Sequence, residues 1–154
     1  MKHHSMIVLL ACLGGCVTVP KPLQGEFSAM LPGEASRTST LADAVRWGGR
    51  IVKVEPQAAS SCFEIVALHL NGSGQPLLKD TSEGRFLACR SGFYDPEIFK
   101  AGREITVTGR LAAFEIRKIG DYEYNYPKVE ASVIYLWPER HDVDVIVERV
   151  PFYW

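Results

Sequence analysis

No apolar run in this chain is long enough to cross a bilayer as a helix. The most prominent one, Met6 to Leu13, falls well short of the roughly 20 residues that the hydrocarbon core requires. An excess of one charge is also missing. The 17 Lys and Arg residues stand against 18 Asp and Glu with no run of either sign, which excludes the basic footprint of a nucleic-acid protein. Histidine is scarce: beyond the N-terminal region only His69 and His141 remain, and neither lies in a motif that supplies further ligands or a general-base partner. The His141-Asp142 pair with Asp144 is better read as a solvated strand edge than as a metal cluster. No serine occupies a Gly-x-Ser-x-Gly turn, no phosphate loop appears, and no acidic pair stands out as an acid/base couple. Catalysis is therefore the less favoured class. There are 4 cysteines without paired spacing, so a metal or redox centre is disfavoured. No internal repeat or low-complexity segment is present.

What is there begins at the N-terminus. Lys2 supplies a positive start, the short apolar run follows, and Leu13-Gly14-Gly15-Cys16 places two small residues before a cysteine. This pattern resembles the signal peptide and lipobox of bacterial lipoprotein precursors. The resemblance implies cleavage behind Gly15, with Cys16 as the mature N-terminus carrying a covalent lipid. Cys12 is a rival site, but cleavage there would shorten a minimal apolar run and would put bulky Leu10 where a small residue is preferred. An ordinary signal peptide would leave Cys16 a free thiol in an oxidising compartment, which is unusual. Buried acyl chains contribute about 0.8 kcal/mol per methylene, so several of them make a lasting anchor.

Residues 1–15 thus read as a signal peptide, residues 16–40 as the lipidated N-terminus and tether, and 41–154 as one folded domain of ordinary size. The prolines at Pro20 and Pro22 disfavour helix and suggest an extended tether to about Ser39. From Val45 onward the chain reads as strands. Gly48-Gly49 suggests a bulge or sharp bend in the first. Cys62 to Leu70 forms the next strand, stopping at the turn signal Asn71-Gly72-Ser73-Gly74. Gly84 to Cys89 is a short strand. Asp95 to Lys100 reads as a short helix or turn, capped by Asp95 with Pro96 in the first helical position. Glu104 to Phe114 alternates around Gly109, and Tyr122 to Trp137 returns, with Pro127 marking its start or an edge. Val143, Val145 and Val147 suggest one further half-buried strand. Five or six short strands with one helical interruption predict an all-β fold: a small antiparallel OB-like β-barrel with one short helix. An open β-sandwich is the alternative.

A set of local matches then appears in order along nearly the whole chain. Val45-Arg46-Trp47-Gly48-Gly49-Arg50-Ile51, Gly84-Arg85-Phe86-Leu87-Ala88 and Gly92-Phe93-Tyr94-Asp95-Pro96 come first. Gly102 to Gly109, Lys118-Ile119-Gly120, Tyr124-Asn125-Tyr126-Pro127 and Tyr135-Leu136-Trp137 follow. With the lipobox, they resemble the starvation-inducible outer-membrane lipoprotein family, Slp. The resemblance implies an outer-membrane lipoprotein facing the periplasm and linked to envelope stress; it implies no biochemical activity. Val17, where inner-membrane lipoproteins often carry aspartate, agrees with outer-membrane sorting.

Two side-chain groups remain as candidate sites. In a hairpin register that sets position 62 against position 89, Cys62 and Cys89 come within disulfide reach, and the oxidising periplasm favours the bond. The alternative is two separately buried thiols. Tyr122, Tyr124 and Tyr126 alternate along an extended chain and so share a face. They form either a stacking platform, with balanced charge favouring a neutral glycan, or ordinary cross-strand packing, the favoured reading. Arg46 and Arg85, each beside a glycine and an aromatic residue, hold either a core-edge salt bridge or an anionic ligand, and the structural role is the favoured reading. The aromatic tail Val150 to Trp154 packs on the domain or touches the membrane interface. No cofactor is expected beyond the lipid on Cys16. The expected partners are the membrane, the lipoprotein processing and sorting machinery, and envelope proteins, with no nucleic acid. The leading function is a non-catalytic envelope protein. A ligand-binding module using the tyrosine face is second, and a hydrolase built on His69 or His141 third.

Overall fold

The computed structural model describes residues 18–140. Five strands carry the fold: β1 (Ala42–Pro56), β2 (Ser60–Leu68), β3 (Arg85–Ser91), β4 (Glu104–Ile119) and β5 (Tyr122–Leu136). They are hydrogen-bonded in the order β1-β2-β3-β5-β4, and β4 returns to β1, so the sheet closes in a ring. The open sandwich does not describe it. Four of the pairings are antiparallel, whereas β3 and β5 run parallel over Leu87–Cys89 and Lys128–Glu130. The expectation of an antiparallel sheet therefore needs correcting. Because β4 intervenes in the chain between β3 and β5, the returning strand reaches β3 pointing the same way.

The core lies inside the ring. Trp47, Ile51, Phe63, Ile65, Phe86 and Val107 form one cluster, with the Trp47 and Phe86 rings edge-on at 5.3 Å. Apolar residues on alternate positions of each strand enter it, as the two-residue period of a strand requires. Burial of this kind stabilises by roughly 1.5–3 kcal/mol for each large side chain.

Gly48 and Gly49 mark a close approach of strands. A side chain at Gly48 would lie 2.7 Å from the Ile105 carbonyl oxygen of β4, and one at Gly49 would run into the Val66 carbonyl of β2. The register shifts in β1 fall on either side of this pair, between Ala42 and Val45 against β4 and between Ile51 and Lys53 against β2. Pro127 lies buried inside β5 rather than at its start, opposite Phe114. It sits one residue ahead of the first parallel pair, Leu87 with Lys128. Asp95 caps a turn and not a helix: its carboxylate accepts from the Glu97 N–H at 2.9 Å, and its carbonyl accepts from the Phe99 N–H at 2.9 Å.

The one short helix, α1 (Pro32–Thr38), falls in the stretch read as extended tether. Pro32 pre-sets its first turn, and Ala35 is completely buried against the ring. A 3-10 turn at Lys21–Leu23 precedes it, with Leu23 also fully buried. The prolines here shape compact turns that apolar contacts hold down. The strand expected around Val143 to Val147 and the aromatic tail lie outside the described residues.

Gly49→Ala should destabilise the protein by at least about 1–3 kcal/mol, since backbone and not a flexible side chain blocks the new methyl. Gly72→Ala, where nothing lies within 4 Å of the added carbon, should leave stability unchanged. Thermal unfolding of the two variants checks this, and equal melting temperatures would contradict the close-approach argument.

Candidate functional site

Alternation along β5 places the three tyrosines on one face, but at graded depth. Tyr122 is 69% exposed beside the β4–β5 turn, Tyr124 is half-buried and Tyr126 is only 1% exposed. The Tyr124 and Tyr126 rings meet edge-on at 4.9 Å, and the Tyr124 hydroxyl accepts from the Arg85 backbone N–H at 3.0 Å. A flat three-ring platform is not formed. Tyr122 and Tyr124 alone border a groove of about 610 Å³, which Glu34, Arg37 and Ser82 also line.

Tyr126 reaches a carboxylate for which the sequence carries only a faint signal. Its hydroxyl donates to Glu64 Oε1 at 2.7 Å, and Arg85 Nη1 donates to the same oxygen at 2.8 Å. Lys53 Nζ stands 3.8 Å from Glu64 Oε2. Glu64 is 9% exposed, and on β2 it points away from the face that carries Phe63 and Ile65. Burial, then the bond to Glu64, pushes the Tyr126 phenol up to about 12. Burial weighs against the Arg85 charge, yet the contacts to Glu64 and Tyr126 outweigh it and hold the guanidinium above its ordinary value. Arg85 is thus the structural ion-pair partner it was expected to be. The legible signal for Glu64 is a single carboxylate inside the apolar run from Cys62 to Leu68. Its partners lie 21 and 62 positions away in the chain, so spacing does not reveal them.

Lys53 also links this cluster to a ladder of charges on the outside of the ring. It pairs with Glu55 at 2.9 Å; Arg117 bridges Glu55 at 3.2 Å and Glu115 at 2.7 Å, and Lys128 closes on Glu115 at 3.2 Å. The Lys53 hydrogen bond holds the Glu55 carboxyl below the usual range, and the Arg117 bond does the same for Glu115.

A second cleft, of about 390 Å³, opens between the Gly25–Pro32 segment and strands β1 and β2. The Trp47 indole N–H donates to the Met30 carbonyl at 2.7 Å and pins the segment in place. Arg46 spans the same junction, donating to the Leu23 carbonyl at 3.0 Å with its guanidinium 5.1 Å from the centre of the Phe27 ring. Arg46 therefore ties the N-terminal segment to the ring instead of pairing with a carboxylate. His69 lines this cleft with Glu83, its Nδ1 3.8 Å from Oε1, and its side chain is 64% exposed. The hydrolase reading asks for a cleft with a histidine beside a carboxylate or a hydroxyl, and His69 with Glu83 supplies the carboxylate form of it. No group of three metal-ligating side chains occurs among the described residues. His141, Asp142 and Asp144 lie outside them.

Cys62 and Cys89 face each other in the β2–β3 register and are joined as a disulfide, their Cα atoms 4.1 Å apart. Closing a loop with a sequence separation of 27 contributes about 3–4 kcal/mol by chain entropy. Cys16 lies outside the described residues.

Comparison with known proteins gives a family match and several relatives. The family described as outer membrane lipoprotein Slp matches residues 13–154. An uncharacterized protein of Haemophilus influenzae is 36% identical over 132 residues, covering 82% of this chain and 72% of that protein. The uncharacterized lipoprotein YeaY of Escherichia coli is 30% identical over 131 residues, covering 81% of this chain and 66% of that one. The outer membrane protein Slp of Escherichia coli is 28% identical over 99 residues, covering 64% and 52% respectively. The chain thus spans about half of the last relative and roughly two thirds of the second.

Tyr126→Phe, which strips a hydrogen bond from a buried carboxylate, should cost about 1–3 kcal/mol in urea unfolding, while Tyr122→Phe should stay within about 0.5 kcal/mol. Equal effects would remove the distinction between the buried and exposed rings. Acid should also weaken the fold. Glu55 and Glu115 take up protons in the unfolded chain near 4.5 but only at lower pH when folded, so their contribution is present above about 4.5 and is lost as pH falls through the folded values. The urea midpoint should drop across that window, and in Arg117→Gln the drop should be smaller.

Proposed function

Because the chain belongs to the Slp family of outer membrane lipoproteins, we propose that residues 1–15 are removed as a signal peptide and that Cys16 is the acylated N-terminus of a periplasm-facing domain. The observation that carries this reading is Leu13-Gly14-Gly15-Cys16, at the point where the family match begins. Acyl chains on one residue then supply the membrane affinity, and the folded part needs no membrane-spanning element of its own. The lipoprotein processing and sorting machinery delivers it to the outer membrane.

The folded part acts as a non-catalytic module in envelope stress, an OB-like ring that contacts envelope partners. The strand order β1-β2-β3-β5-β4, with the parallel β3–β5 closure, supports the OB-like assignment. The enclosure of Glu64, whose Oε1 accepts from Arg85 and Tyr126 while Lys53 stands 3.8 Å from Oε2, supports the non-catalytic one, since a carboxylate held among cations is a poor proton acceptor. A ligand-binding role is the second reading, favoured by exposed Tyr122 at the rim of its groove. In that case Tyr122→Ala would weaken glycan binding and leave the fold intact.

Mass analysis of the N-terminal peptide from membrane-extracted protein tests the anchor. An acylated peptide beginning at Cys16 is expected, and Cys16→Ala should release the protein from the membrane fraction. An unmodified Cys16 on an uncleaved chain would end this reading.

A further inference from the structure

The chain has already joined the fold at Val19. The Val19 carbonyl accepts from Gln24 Nε2 at 2.8 Å, and the Pro20 carbonyl accepts from the Leu23 N–H at 2.8 Å. A side chain built on Gly74 would lie 3.7 Å from both Val19 Cγ1 and Leu23 Cδ1, so this first turn packs on the Asn71–Gln75 loop. Leu23 is fully buried, and Arg46 holds its carbonyl. Only three peptide units separate Cys16 from Val19, a reach of at most about 11 Å.

From this we infer that the end of the ring formed by Val19, Lys21 and the Asn71–Gln75 loop is held against the lipid headgroups, an orientation that rests on the acylation of Cys16 proposed above. The loop suits a headgroup surface and not the hydrocarbon. It is polar, and it is rigid: Asn71 Oδ1 accepts from the Ser73 N–H at 2.9 Å, the Ser73 hydroxyl at 2.6 Å and the Gln75 N–H at 3.0 Å. The Gly74 carbonyl accepts from the Thr106 hydroxyl at 2.7 Å, and Thr106 accepts from the Trp137 indole N–H at 2.9 Å, which fixes the loop to the start of β4 and the end of β5. Lys21 is exposed in the same turn as Leu23, which packs at Gly74, and adds a cation to this part of the surface. The opposite end of β4, at the Gly120-Asp121 turn, lies on the order of 40 Å further along the bent strand. In this orientation that turn, with exposed Tyr122 beside it, is expected to stand away from the headgroups.

The test uses the full lipoprotein in phosphatidylcholine–phosphatidylglycerol vesicles containing a headgroup-nitroxide lipid. Gly72→Cys, Lys21→Cys and Asp121→Cys each carry an environment-sensitive fluorophore; the Cys62–Cys89 bond and the acyl group on Cys16 leave the introduced thiol as the labelling site. A built side chain at Gly72 meets nothing within 4 Å, and Lys21 reports the same surface from another element. Loss of fluorescence at positions 21 and 72 with none at 121 is the expected result. Equal quenching at the two ends, or stronger quenching at 121, with an acylated Cys16 peptide in the same sample, overturns the orientation and leaves the anchor standing. An unacylated Cys16 in protein purified from membranes overturns both.

Discussion

Closure of the ring turns on how tightly β1 is held between its neighbours. Over Gly48 and Gly49 this strand pairs with β2 on one side and β4 on the other, and both partners bring a backbone carbonyl to where a side chain would stand. Gly109 does the same for β4 against β5, where Glu130 occupies the space. A strand that must pair along both edges while curving around a small core has little room at its points of greatest bend. Glycine removes the obstacle, and the Trp47, Phe63 and Phe86 side chains fill the interior that the bend encloses. Without that approach the sheet would have two free edges and an exposed apolar face.

The segment before β1 shares in the same core. Leu23 and Ala35 are fully buried, Trp47 holds the Met30 carbonyl, and Arg46 holds that of Leu23. What reads as a flexible stalk is in fact the cover on one side of the ring. For a lipoprotein this changes the geometry of attachment. A long tether would let the domain sample every orientation, whereas a chain docked from Val19 onward is the basis of the orientation proposed above.

The polar clusters tie the strands together. Glu64 is enclosed by Arg85, Tyr126 and Lys53, and the ladder through Glu55, Arg117, Glu115 and Lys128 ties β1 to β4 and β5 on the outside. A buried carboxylate with one partner missing is costly, which makes such a cluster demanding of its register. Together with the Cys62–Cys89 bond, it locks β2 to β3 and brings β5 alongside. Tyr122, the groove beside it and the cleft under the Gly25–Pro32 segment are among the accessible features that remain.

The sequence by itself determined the class and the address. Alternation and turn residues are local signals, so the strands and the Asn71–Gly74 turn were legible, as was the pairing of Cys62 with Cys89 through hairpin register. The lipobox and the ordered motifs are likewise written in consecutive residues. Tertiary structure decided the rest, because it depends on residues far apart in the chain. Whether Gly48-Gly49 is a bulge or a close approach depends on carbonyls at Val66 and Ile105, and whether Pro20 and Pro22 begin a stalk or a packed turn depends on a pocket for Leu23. The depth of Tyr126 depends on Glu64, 62 positions away. Period and composition record what each residue prefers; only packing records which neighbour it meets.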